Sequence, residues 1–361
     1  MEGYLVIEDG TIYKGKVFGA KGIKFGELIF NTSMTGYQEI IFDPSYKGQI
    51  VVMTYPLIGN YGVNEEDIES YKIHLEGFVI KEKSRIYSNW RANKSLEELF
   101  EKNGIVGIEG IDTRKITITL REKGALKGGI FPGKRKSPEE MVEMVKKSES
   151  IVGKDLVRNV VKDKPYWWNK KGKYKVVVID CGVKYNILRL LSSVGFKVKV
   201  IPSFFSWEEI VKENPDGILI SNGPGDPAAV PYIVNTVSNL VERYPVFGIC
   251  LGHQILGQVF GGKTFKLKFG HHGANHPVKD LKTGKIHITV QNHGFCVDIN
   301  TLKDPHVEIT HINLNDMTLE GIEHKKLPVF SVQFHPENSP GPRDAQYLFE
   351  KFYRMIDGKK N

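Results

Sequence analysis

The sequence predicts a two-domain chain with an α/β C-terminal half and an α+β N-terminal half. Three observations predict it. The 361 residues exceed what one ordinary domain of about 100–200 residues holds. From Tyr174 onward short apolar runs alternate with amphipathic helical runs, the pattern of βαβ units in a mostly parallel sheet flanked by helices. Before that point the β-like runs are short, broken by Gly and Pro, and show no such alternation. We expect an N-terminal domain over 1–150, a linker over 151–173 and a C-terminal domain over 174–361.

In the first half, Tyr4–Glu8, Ile50–Tyr55 and Gly77–Ile80 read as strands. Ser95–Asn103 has helical spacing, and Ser95 with Glu98 forms a capping box. Ser137 and Pro138 open a second helix that runs to Lys147. Lys162–Lys173, rich in lysine and with Pro165 and Gly172, reads as linker. In the second half the expected order is strand Lys175–Asp180, helix Asn186–Val194, strand Lys197–Ile201 and a helix capped by Ser206 and Glu209. Strand Gly217–Ile220, helix Tyr232–Tyr244, strand Val246–Ile249 and helix Leu251–Phe260 follow. Ile286–Gln291 and Val329–Phe334 add strands, and a last helix lies near Ala345–Ile356.

Composition excludes several classes. Forty per cent of residues are hydrophobic and 25% charged, an ordinary globular balance. The net charge of +8 is spread along the chain, with no basic block of the kind that binds nucleic acid. No apolar run is long enough to span a membrane, and the first ten residues lack the basic n-region and apolar core of a signal peptide. Cys181, Cys250 and Cys296 are odd in number and lack Cys-x-x-Cys spacing, which fits a reducing, cytoplasmic setting and no structural zinc. There is no Gly-x-x-x-x-Gly-Lys-Ser/Thr loop and no Gly-x-Gly-x-x-Gly after a strand, so neither ATP nor a dinucleotide has a motif here.

The sharpest chemical signal is Gly248-Ile249-Cys250-Leu251-Gly252-His253-Gln254. A strand ends in Gly-x-Cys-x-Gly and a helix starts at once, as in the nucleophile elbow of strand–turn–helix hydrolases. The tight turn needs small neighbours and puts the sulfur at a helix N-terminus, where the dipole and free N–H groups favour thiolate. The N–H of Leu251 is then an oxyanion donor. A cysteine nucleophile needs a base and a group that orients it. His335 and Glu337, in Phe334-His335-Pro336-Glu337 just past a strand end, are the best candidates. Ser221-Asn222-Gly223-Pro224-Gly225-Asp226-Pro227 follows another strand, so Gly223 and Gly225 can bring backbone donors to the same rim. Gln291-Asn292-His293-Gly294-Phe295 ends a strand and offers groups to a polar substrate. His271, His272 and His276 fit no zinc pattern and read as a polar loop near the site.

Together these motifs resemble a class I, triad-type glutamine amidotransferase domain over Tyr174–Asp357. The first half resembles the small subunit of carbamoyl phosphate synthetase. The residues that carry this are Phe30–Glu39, Asp43-Pro44-Ser45-Tyr46, Thr54–Asn60, Ile111-Asp112-Thr113-Arg114, Lys268–Gly273 and Ser339-Pro340-Gly341-Pro342. The resemblance implies a glutaminase subunit with Cys250, His335 and Glu337 as triad. It implies glutamine contacts from Ser45, Gly223, Gly225, Leu251, Gln254, Asn292, Gly294 and Phe295. It further implies a large-subunit partner that makes carbamoyl phosphate from bicarbonate for arginine and pyrimidine synthesis. No cofactor or metal is expected in this chain; ATP and a divalent metal are expected on the large subunit. The triad residues alone leave two other readings open, a cysteine peptidase on the same elbow and an inactive regulatory scaffold.

Overall fold

The computed structural model describes residues 1–133 and 136–360. The chain divides into two compact units, one of Met1–Lys154 with Lys268–Gly273 and one of Asp155–Leu267 with Ala274–Asn361. Among the described residues no helix is long and apolar enough to cross a membrane.

The first unit contains β1 (Glu2–Ile7), β2 (Ile12–Gly19), β3 (Lys24–Asn31), α1 (Tyr37–Phe42), β4 (Gln49–Met53), β5 (Leu57–Ile58), β6 (Gly77–Val79) and β7 (Glu82–Lys83). It continues with α2 (Leu96–Asn103), β8 (Val106–Glu109), α3 (Thr113–Lys123), β9 (Leu126–Pro132) and α4 (Pro138–Lys147). Seven strands close into a barrel in the order β1-β2-β8-β6-β4-β3-β9, with β9 paired antiparallel to β1. Closure leaves no free edge. The expected strand at Ile50 explains itself by period: Ile50 and Val52 join Leu28, Phe30 and Ile130 in one cluster, while Val51 and Met53 pack with Ile29 and Phe78 in another. A strand buried on both faces reads as a continuous apolar run. Both expected capping boxes are present, Ser95 with Glu98 on α2 and Ser137 with Glu140 on α4.

The second unit is built on one ten-stranded sheet. Its elements are β10 (Tyr166–Asn169), β11 (Tyr174–Asp180), α5 (Tyr185–Ser193), β12 (Phe196–Pro202), α6 (Trp207–Lys212), β13 (Gly217–Ile220), α7 (Pro231–Ser238), β14 (Val246–Ile249) and α8 (Leu251–Val259). There follow β15 (Lys263–Asp280), whose Lys268–Gly273 belongs to the first unit, β16 (Ile286–Asp298), β17 (Val307–Asn313), β18 (Leu319–His324), β19 (Val329–Val332) and α9 (Tyr347–Lys360). The order is β10-β12-β11-β13-β14-β19-β18-β17-β15-β16. From β12 to β19 the pairings are parallel, and β10 and the β18–β17–β15 side add antiparallel pairs. Alternation sorts the two faces. Val176 and Val178 pack with Ile187 and Leu191 of α5 and Phe349 and Phe352 of α9. Val177 and Ile179 pack with Ile210 of α6, Ile233 of α7 and Ile255 of α8.

Several sequence expectations need correction. The stretch read as linker contains β10, whose Tyr166 and Trp167 pair with Val200 and Lys199. The helix expected to reach Tyr244 stops at Ser238. Gln291–Phe295 lies inside β16 instead of after a strand, and His271, His272 and His276 lie in β15 instead of a loop. β17 and β18 were not expected at all.

Candidate active site

Four loops leave the carboxyl ends of neighbouring parallel strands in the second unit, after β11, β13, β14 and β19. This is the edge where open α/β sheets collect functional groups. Cys250 sits between β14 and α8 with φ 54° and ψ −102°, a conformation that L residues avoid. Its N–H donates to the Val332 carbonyl at 2.9 Å, which ties the elbow to β19. A Cβ at Gly252 would lie 2.3 Å from the Ile220 carbonyl oxygen, so only glycine lets α8 start this close to β13. The Cys250 side chain is 2% exposed, and its Sγ donates to the Asn292 carbonyl at 3.6 Å.

His335 follows β19 and is buried. Its Nδ1 lies 2.7 Å from Glu337 Oε1. Nδ1 is thereby committed to the carboxylate, and Nε2 is left to the Cys250 sulfur without a hydrogen bond of regular geometry. Catalytic contacts are commonly loose before substrate binds. Burial opposes charge on the imidazole, but the Glu337 carboxylate and the Cys250 sulfur nearby outweigh it and raise His335 to about 10. Burial likewise opposes the Glu337 carboxylate, yet the Lys184 ammonium and then His335 bring it down to about 2. The arrangement is a cysteine beside a histidine that a buried carboxylate orients. It can pass a thiol proton to the imidazole and return it to a leaving group.

The other candidates gather around it. A Cβ at Gly223 would lie 2.2 Å from the Cys181 carbonyl oxygen and 2.8 Å from Leu251 Cδ2, so the 221–225 loop packs directly on the elbow. Gly225 has φ +86°. As first residue of α8, Leu251 has an N–H without an intrahelical acceptor. Gln254 lies one turn on and donates from Nε2 to the Phe295 carbonyl at 2.7 Å, joining α8 to β16 beside Asn292 and Gly294.

Residues 177–355 match the family described as glutamine amidotransferase class-I, and residues 5–130 match the carbamoyl-phosphate synthase small chain, CPSase domain. The carbamoyl phosphate synthase small chain of Akkermansia muciniphila is 53% identical over 100% of this chain and 99% of its own length. That of Aquifex aeolicus is 54% identical over 98% of both. The chain belongs to the carbamoyl phosphate synthase small chain family. A chloroplastic small chain from Oryza sativa is 48% identical, covering 99% of this chain and 82% of that one.

Sequence reasoning missed Lys184. It follows β11, is 1% exposed, and places Nζ 2.9 Å from Glu337 Oε1 while donating to the Asn338 carbonyl at 2.7 Å. Asn186 donates from Nδ2 to the Glu337 carbonyl at 2.5 Å. The available signal was the position of Asp180–Lys184 just past a parallel strand, on the same edge as the elbow. Ser45 belongs to the first unit, where it is buried in a short 3-10 turn, Pro44–Tyr46, and its N–H donates to Asp43 Oδ1. His272 is also held in that unit, with its carbonyl accepting from the Thr32 N–H and Oγ1. Cys181 and Cys296 are buried, and burial pushes both thiols up, away from thiolate.

Proposed function

We propose that the chain is the glutamine-hydrolysing subunit of carbamoyl phosphate synthase and works through a Cys250–His335–Glu337 triad and a thioester. The observation that carries the reading is the 2.7 Å His335–Glu337 bond beside a cysteine in a strained elbow, in a chain of this family. The thiol proton of Cys250 is held on His335 Nε2, since the raised pKa keeps the imidazole protonated near neutral pH. The thiolate attacks the side-chain amide carbon of glutamine, and the oxyanion rests on the N–H groups of Leu251 and Gly225. Collapse breaks the C–N bond as His335 gives its proton to the leaving nitrogen, releasing ammonia. Water then attacks the thioester, His335 takes its proton, and glutamate leaves as the thiol is restored. Gly223, Gly225, Leu251, Gln254, Asn292, Gly294 and Phe295 line the glutamine site in this reading, and Ser45 is assigned as a further contact on the resemblance. Ammonia passes to a large subunit that uses ATP, a divalent metal and bicarbonate for arginine and pyrimidine synthesis. The three free thiols suit a reducing, cytoplasmic setting.

The experiment is an acid quench with glutamine labelled in its carbon chain. We expect a labelled thioester on the Cys250 peptide, absent in Cys250→Ser. Label that remains in that variant, or steady glutamate release without the sulfur, contradicts the mechanism.

A further inference from the structure

Gln333 stands between the last residue of β19 and the triad histidine, and it is wholly buried. Its Nε2 points at the nucleophile, 3.7 Å from Cys250 Sγ. Its backbone is fixed, with the N–H donating to the Glu320 carbonyl at 2.8 Å, and the preceding carbonyl, of Val332, accepts the Cys250 N–H. We propose that Gln333 is a catalytic residue of this site, whose side-chain amide donates a hydrogen bond to the Cys250 thiolate. The proposal rests on the cysteine mechanism above and adds to it a residue that touches the reacting sulfur.

The amide orientation follows from the network. A backbone carbonyl can only accept, so the Gln254 group 2.7 Å from the Phe295 oxygen is its NH2. The other N–H of that group meets Gln333 Oε1 at 3.1 Å. With its oxygen so used, Gln333 presents its NH2 to the sulfur. The two contacts of the sulfur then have opposite preferences. The thiol donates S–H to the Asn292 carbonyl. Once the proton has gone to His335, that carbonyl can only repel the negative sulfur, whereas the Gln333 N–H gains strength from the charge. Both amides are buried, with Gln254 3% exposed, so a preset donor stands where solvent is largely excluded.

The test compares the full-length native chain with Gln333→Glu and Gln333→Met by iodoacetamide alkylation of the Cys250 peptide, without glutamine, at pH 7 and pH 10. Cys181 and Cys296 compete little, because burial pushes both thiols up and holds them protonated. Gln333→Glu keeps an oxygen for Gln254 and replaces the donor with a carboxylate, and Gln333→Met removes the donor without adding charge. We expect both variants to be alkylated about tenfold more slowly at pH 7 and within about twofold of native at pH 10. We also expect kcat/KM for glutamine to fall by at least about tenfold. Native alkylation at pH 7 in either folded variant overturns the proposal. So does equal slowing at both pH values, which reports lost access instead. In the native chain the Gln333 side-chain 15NH2 resonance should move when Cys250 is blocked by methylthiolation, and an unmoved resonance also overturns it. Glutamine hydrolysis by Cys250→Ser would instead strike the underlying mechanism, whatever Gln333 does.

Discussion

Glu337 touches no substrate bond in this account and acts through the imidazole. Glu337→Gln should therefore lower turnover partially, while His335→Asn removes nearly all of it; equal activities in a steady-state glutaminase assay would contradict the triad. The same carboxylate is the largest influence holding the imidazole proton. In Glu337→Gln the His335 titration, followed by NMR, should move down from about 10. The sign for stability follows. A raised histidine stabilises the fold below its unfolded value near 6.5 and loses that contribution as pH rises through about 10. Glu337, depressed to about 2, stabilises above its unfolded value near 4.5 and loses that contribution as pH falls through about 2. Lys184 is its buried counter-ion, with side chains 2% and 0% exposed. Removing one partner of a buried pair costs about 3–5 kcal/mol. We expect Lys184→Met to lose stability of that order in urea titrations at pH 7 and to lose less near pH 2, where the native carboxylate is itself half protonated. A loss that stays constant with pH would deny the pair that role.

At the scale of elements, the elbow demands most of its sequence. Gly252→Ala puts a methyl 2.3 Å from the Ile220 carbonyl, against backbone that cannot swing away. We expect that variant to lose glutamine hydrolysis while its far-UV circular dichroism stays near native; native activity would show that α8 can shift. A milder change is Ser95→Ala, which removes the N-cap of α2 and should cost about 0.5–2 kcal/mol by thermal melting. These features were legible because each is local: a cap, a strand of one period, a tight turn before a helix. The parallel strands β11, β13 and β14 were legible for the same reason, since burial on both faces leaves near-continuous apolar runs, and β12 was legible from its alternation of valine with lysine. β15, β17 and β18 were not, and of β16 only its first part, Ile286–Gln291, was. Their runs mix histidine, threonine, asparagine and glycine, because their buried polar groups bond to one another: Gln291 Nε2 donates to Glu320 Oε2 and Asn313 Nδ2 to Glu320 Oε1. Pairing far along the chain, which a periodicity cannot show, makes such residues strand. Lys184 escaped for a related reason, since a lysine reads as surface until its carboxylate partner 153 residues away is known.

For the whole molecule, the closed barrel of the first unit is not needed by triad chemistry, and small chains are by name one part of a synthase. We expect the isolated chain to hydrolyse glutamine slowly and to do so faster in complex with its large subunit when that subunit turns over ATP and bicarbonate. Coupling of this kind commonly amounts to about 1–3 kcal/mol. Glutamate release measured with and without the large subunit checks it. The central claim is that Cys250 serves the synthase only by freeing ammonia from glutamine. The measurement is carbamoyl phosphate formation by the complex carrying Cys250→Ser, with glutamine and, separately, with ammonium as nitrogen source. The account predicts no product from glutamine and native rates from ammonium. Product from glutamine, or failure of ammonium to restore it, would contradict the account.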